Sequence, residues 1–417
     1  MQGPDAISQS RIFYGWFVVA AAFAVTFIGF GSAYSFSAFL PALQQEFNAS
    51  RGAVSLVFSL AGFLYFGLGV ISGPLADRVG ARPLAIVGML CVGGGLACAS
   101  FARSLSEVYW AYGLGVGLGA GLSYVPVVGT VQRWFFKQRG FASGLAVSGI
   151  GMGTLVVPPV AAWLIERNGW RAAYLALGAF AAMVGVGMAV MIEDDPSGRG
   201  LEPDGAPLAA GRTGAVIATG MSVGDAVRSR DFLVLYCACV ICSFGIFVPF
   251  VHLVPYAIDQ GIPQTSAVLL LAAIGIGSTA GRFLLGGLAD RIGRRQSMLV
   301  GFVGMGLALL LWAGAASLWA LTTFALIYGV FYGGWVAVMP AVVMDYFGGR
   351  NVSGIIGALY TSVALGTLIG PTAAGYVFDL TGSYRVPILA AIAANLLAAG
   401  IVAANPKSSP TSSLGQT

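Results

Sequence analysis

Arg282 lies in the apolar stretch Ala280-Gly281-Arg282-Phe283, eight positions before Asp290, or about 12 Å along a helix. The sixteen carboxylates fall in tails, loops or the ends of apolar runs, so none has an evident place beside it. A cation alone in such a run is costly and is normally found facing an aqueous cavity or a partner; the alternative is to snorkel to an interface. Guanidinium is permanently charged, and its planar fork matches a carboxylate with two hydrogen bonds. The partner is therefore expected to be an organic anion. The one histidine, His252, stands between Pro249 and Pro255. Its ordinary pKa of about 6.5 suits proton exchange, and the plainer reading is a hydrogen-bonded structural residue near the end of its helix.

The remaining reactive residues carry less. Cys91, Cys98, Cys237, Cys239 and Cys242 all sit in apolar runs without metal-ligand spacing, which reads as packing, with no metal and no cofactor expected. Gly113, Gly115, Gly117, Gly119 and Gly121 precede no Gly-Lys-Ser/Thr and lie inside an apolar run, so close helix contact explains them better than a nucleotide loop. With one histidine and no carboxylate pair at depth, an enzyme is not expected.

The elements that must position Arg282 follow from composition. Of 417 residues, 58% are hydrophobic and only 9% charged, against roughly 25% charged in a soluble domain. Apolar runs of spanning length, about 20 residues, begin near Tyr14, Gly52, Pro83, Glu107, Arg139, Arg171, Phe232, Ser266, Gln296, Ser317, Val352 and Arg385. They do not alternate as barrel strands would. An all-α membrane protein of twelve transmembrane helices in two six-helix bundles is expected: residues 1–194, a cytoplasmic linker at 195–230, and residues 231–417 with a short tail. Apart from Arg282, fifteen cations fall on one side of this plan and five on the other, which puts both termini and the linker in the cytoplasm. The net charge of +5 is thereby explained by topology, and no nucleic-acid partner is expected.

An internal repeat supports the halving. Gly73-Pro-Leu-Ala-Asp77-Arg78-Val-Gly80 follows the second run and Gly286-Gly-Leu-Ala-Asp290-Arg291-Ile-Gly293 the eighth. Parallel halves imply a central site at their interface and rocking of one half against the other. This loop resembles the signature of the major facilitator superfamily. The resemblance implies that Asp77, Arg78, Asp290 and Arg291 act as gate residues.

Within the superfamily, Trp134-Phe-Phe-Lys137-Gln-Arg139-Gly-Phe-Ala-Ser-Gly144-Leu-Ala-Val-Ser-Gly149, together with Tyr14-Gly15-Trp16, resembles the monocarboxylate transporters and the oxalate/formate exchangers. The resemblance implies that Arg282 is the carboxylate binder. It also implies that Tyr34, Tyr124, Tyr328, Tyr332 and Trp335 line the substrate cavity; His252, the candidate for proton coupling, is suggested by its own chemistry and not by the resemblance. Val363 stands where the oxalate exchangers carry a second cation. Tyr34 and Ser278 stand where the animal monocarboxylate transporters carry a lysine and an aspartate. The expectation is a monomeric carrier in the cell membrane that moves a small monocarboxylate such as lactate or pyruvate with a proton. The rivals are an oxalate/formate-type exchanger, an amphiphile exporter and a membrane sensor.

Overall fold

The computed structural model describes residues 13–136, 138–205, 220–348 and 351–405, apart from the side chains of Asp77, Arg139, Asp290 and Ser353. Among the described residues, eleven helices are long and apolar enough to cross a membrane. They are α1 (Gly15–Phe47), α2 (Arg51–Ala76), α3 (Ala81–Ser100), α4 (Leu105–Trp134), a continuous Phe141–Val190, then α7 (Arg230–Asp259), α8 (Gln264–Ala289), α9 (Arg294–Gly314), α10 (Leu318–Phe347), α11 (Gly354–Thr381) and α12 (Arg385–Ala404). The 50-residue helix is too long for one crossing, and it breaks at Gly169, where φ is 79° and ψ 162°. We number its two parts α5 (141–168) and α6 (170–190), so twelve spans result and the protein is multi-pass. Among the described residues there is no strand, only an isolated bridge between Gly220 and Gly348.

An even number of spans brings the start of α1 and the end of α12 to the same side, here called the near side. The far side carries the short connections at 48–50, 260–263 and 382–384. The two copies of the repeated loop have the same backbone: Gly80 (φ 89°, ψ 157°) and Gly293 (φ 94°, ψ 145°) each end a helix in a conformation that favours glycine. The repeat is therefore structural as well as sequential. Arg78 and Arg291 are exposed there, whereas the gate expectation for Asp77 and Asp290 concerns side chains outside the described part.

Small residues set the helix spacing, as expected where packing contacts rather than a hydrophobic force hold helices together. The glycine run of α4 has two faces. A Cβ at Gly117 or Gly121 would meet Leu64 and Leu68 of α2 within 3.0 Å, and one at Gly115 would meet the backbone of Gly95 of α3. Glycines four residues apart share a face, so one run serves two neighbours.

The halves touch where α5 meets α8, α2 meets α11 and α1 meets α7. A Cβ on Gly275 would lie 2.7 Å from the Gly151 carbonyl, yet one on Gly144 or Gly286 would find nothing within 4 Å. Gly144 shares a helix face with Gly151, and Gly286 with Gly275, so α5 and α8 meet at mid-span and part toward the near side. On the far side Ser37 donates to the Val251 carbonyl at 3.0 Å, and Thr372 donates to Ser59 at 2.9 Å.

Candidate substrate site

Arg282 is positioned by the crossing of α8 and α10. Gly277 and Gly281 of α8 lie against the backbone of Leu326 and Val330, and Gly329 and Gly333 of α10 lie against Ile274 and Ser278. No larger residue would allow that approach, which sets the Arg282 side chain beside Tyr332. On the other half, a Cβ at Gly151 of α5 would come within 3.1 Å of Arg282 Nη1. The glycine leaves room for the guanidinium at the interface between halves.

Arg282 is 5% exposed, and its guanidinium is only partly satisfied. Nη1 donates to Ser278 Oγ at 2.7 Å and to the Ser278 carbonyl at 3.2 Å. Nε and Nη2 are buried with no hydrogen-bond partner. Its polar surroundings are the phenols of Tyr332, Tyr124, Tyr34 and Tyr360, and none of the described ion pairs includes it. Unpaired buried N–H groups are rare because each forfeits its solvation, so the atoms left unpaired mark where an acceptor belongs.

The same phenols wall a central cavity of about 20 Å³, room for a water or two. Of the sequence-expected lining, Tyr34, Tyr124, Tyr332 and Trp335 are there, joined by Phe30, Phe66, Ile150, Phe247, Val336, Tyr360 and Val363. Tyr34 and Tyr332 bridge the halves through their hydroxyls at 3.1 Å. Trp335 has a buried indole N–H with no partner. Tyr328 is elsewhere: its hydroxyl donates to the Ile246 carbonyl at 2.7 Å, capping the break in α7 next to Phe247. Tyr360 was not singled out from the sequence; its neighbour one turn on, Val363, marked the same face of α11.

His252 belongs to a different cluster. It is fully buried, with Nε2 2.8 Å from the Pro371 carbonyl and Nδ1 3.0 Å from the Tyr384 hydroxyl. Ser55 of α2 reaches Nε2 at 3.5 Å. The Tyr384 hydroxyl also accepts from Arg51 Nη1 at 3.0 Å. Arg51 grips Asp259 with two bonds of 2.6 Å and lies 4.1 Å above the Phe378 ring. The backbone N–H groups of Arg51 and Gly52 donate to Asp379 at 3.0 and 2.8 Å. These contacts tie α2 to α7, α11 and the turn before α12 on the far side.

The signature segments of the near side form a third cluster, with a packing role. Tyr14 donates to the Met191 carbonyl at 3.0 Å, and Trp134 Nε1 donates to that of Glu193 at 2.7 Å. Arg199 sits 3.5 Å over the Tyr14 ring and pairs with Glu193 at 2.6 Å, a hydrogen bond that holds this carboxyl below its ordinary range. Asp194 accepts from the Ala81 N–H at 2.6 Å. The acidic entry of the 195–230 segment thus binds the ends of α1, α3, α4 and α6, while 206–219 lies outside the described residues.

A family model described as Major Facilitator Superfamily matches residues 22–287 and 233–416. The chain is 32% identical to monocarboxylate transporter 11 of Mus musculus over 388 residues, covering 90% of this chain and 84% of that one. It is 30% identical to monocarboxylate transporter 12-B of Danio rerio, covering 89% and 82%, and 29% identical to monocarboxylate transporter 4 of Rattus norvegicus, covering 92% and 81%. Among solved structures, a bacterial homologue of the human lysosomal transporter Spinster, in an inward-facing and unoccupied conformation, aligns with a TM-score of 0.69 at 15% identity, covering 94% of this chain and 97% of that one. That likeness concerns the fold.

Proposed function

The chain belongs to the Major Facilitator Superfamily, among the monocarboxylate transporters, and from that premise we propose that it carries a small monocarboxylate by alternating access. It is a transporter and not an enzyme. The observation that carries the substrate class is the Arg282 guanidinium, itself not part of the cavity wall but buried with Nε and Nη2 unpartnered among the phenols that line it. A carboxylate supplies two acceptors at the spacing of the fork, and its charge offsets a burial that is otherwise costly. The buried indole N–H of Trp335 is another donor, again calling for an acceptor-rich ligand. The names of the relatives point to the same substrate class.

One cation argues for one carboxylate. Val363, at the position where the resemblance puts the exchangers' second cation, is an apolar part of the cavity wall. A dicarboxylate would bury its second charge against aromatic rings. Lactate- and pyruvate-like acids fit the reading better than oxalate.

The excess of basic residues on the near side makes that side cytoplasmic, with both termini, in the cell membrane. Residues 1–194 and 231–417 are then the rocking halves and 195–230 the cytoplasmic linker. The contacts of Arg51 close the outer side, and the divergence of α5 and α8 leads inward. Transport with a proton is part of this reading, and a functional monomer suffices because one chain contributes both halves of the site.

Purified protein in liposomes, offered labelled lactate, pyruvate, formate and oxalate with and without an acid-outside gradient, tests it. Saturable uptake of monocarboxylates, stimulated by the gradient and weak for oxalate, is expected. Uptake of oxalate by exchange, indifferent to pH, would replace it with the exchanger reading. Uptake of every anion left intact in Arg282→Lys would remove the binding model, because lysine lacks the fork.

A further inference from the structure

The hydrogens of the outer cluster can be assigned from geometry alone. The Pro371 carbonyl can only accept, so His252 Nε2, 2.8 Å away, carries a hydrogen. In a neutral imidazole Nδ1 is then the acceptor, and the Tyr384 hydroxyl 3.0 Å from it donates. The Tyr384 oxygen in turn accepts from Arg51 Nη1 at 3.0 Å, and Arg51 is anchored by its two 2.6 Å bonds to Asp259. Donation runs one way from Arg51 through Tyr384 and His252 to Pro371. Along this chain each donor has its acceptor only while His252 is neutral.

A proton on Nδ1 would reverse one link. The Tyr384 oxygen would face two donors, Nδ1–H and Nη1–H, and its own hydrogen would lose its acceptor in a buried place. A second positive charge would also stand close to Arg51. The groups facing His252 leave little to offset this. From α2 come Arg51 and the Ser55 hydroxyl, from the turn before α12 comes Tyr384, and from α11 come the Pro371 carbonyl and Asp379, whose two oxygens already accept from the Arg51 and Gly52 N–H groups. Asp259, on the same helix as His252, is engaged by Arg51.

We propose that Arg51, Tyr384 and His252 form a proton-released latch on the outer gate, which closes only with His252 neutral, so that a proton arriving from outside holds the gate open. This rests on the reading of the chain as an alternating-access carrier with its far side outward. The latch differs from a co-transported proton. His252 contacts Tyr384, Pro371 and Ser55, not Arg282 or the cavity wall, so its proton sets which side is open and need not accompany the substrate. Acid outside then draws the empty carrier to the outward-open form, which raises influx even where another group carries the coupled proton.

Hydrogen–deuterium exchange of the full chain in lipid nanodiscs, corrected for the intrinsic pH dependence, reads the latch directly. Peptides covering 48–55, 248–262 and 371–388 should exchange at a constant rate from about pH 8 down to the ordinary imidazole pKa of about 6.5 and faster below it, by up to about tenfold per pH unit, the limit for one linked proton. In His252→Gln, which keeps a neutral donor and acceptor at that position, the response should be flat and the peptides protected at all pH values. In Tyr384→Phe the peptides should be unprotected throughout. An acid response unchanged in His252→Gln, or Tyr384→Phe protected and still responsive, overturns the proposal. Because the readout needs no substrate, failure of the monocarboxylate reading leaves this result interpretable. In liposomes, His252→Gln should lose stimulation by external acid while keeping the protons moved per substrate; loss of that stoichiometry would make His252 the carried site instead and also overturn the latch.

Discussion

Arg51, half-buried at the far-side start of α2, and Arg282, buried at mid-span, both stand at the interface of the two halves, and they are opposite in one respect. Arg51 has a bidentate carboxylate, a tyrosine hydroxyl and an aromatic ring around its guanidinium. Arg282 has one serine, and two of its nitrogens have no partner. A saturated arginine has its interactions inside the protein and joins elements together. An unsaturated one is stable only because the surrounding fold forces it, and its missing bonds are available to a ligand. Satisfaction, more than burial, separates a structural cation from a binding one.

The comparison predicts crossed effects, beginning with the largest. Arg282→Gln should cut monocarboxylate uptake by about 30-fold to several thousand-fold, as when one partner of a desolvated charge pair is removed at about 2–5 kcal/mol. The same variant should melt no lower than the parent in a thermal unfolding assay, since it removes a half-satisfied buried charge. A clear drop in melting temperature would show that Arg282 is structural after all. Arg51→Gln should do the reverse. Losing its charge-assisted bonds destabilises by about 1–3 kcal/mol, read as a lower melting temperature, while substrate affinity measured by isothermal titration changes little.

Smaller effects sharpen the geometry. Gly151→Ala drives a methyl group into Thr279 Oγ1 and within 3.1 Å of Arg282 Nη1, and overpacking of about 1–3 kcal/mol at this contact of α5 with α8 should raise the transport KM. A wild-type KM would mean that α5 yields at this point. Tyr332→Phe removes the hydroxyl that meets Tyr34 at 3.1 Å across the halves. A net hydrogen bond is worth about 0.5–1.5 kcal/mol, so a change of a few-fold in uptake is expected.

Much of the architecture was legible along the chain because a bilayer imposes local rules. Every backbone polar group must be satisfied within its own helix, so spanning runs declare themselves by length and apolarity, and the repeated loop declares the two halves. The expected span starts fall within a few residues of the helices found. The exception in form is α5 and α6, where a single glycine, Gly169, turns a continuous helix into two. Arg282 was legible for the same reason, since a cation within an apolar run is conspicuous whatever its partners.

Protein class, number of spans and the cation that a carboxylate could seek were thus all readable from residue order. Which aromatic residues share the cavity depended on packing, which turns Tyr328 to the Ile246 carbonyl and brings in Tyr360. Packing also joined His252 to Tyr384, and through its hydroxyl to Arg51, 132 and 201 positions away in the chain. It also revealed which arginine is satisfied. The physical reason is that apolarity and charge are properties of a residue and its neighbours in sequence, whereas hydrogen-bond satisfaction is a property of whatever the fold places within 3 Å or so of an atom.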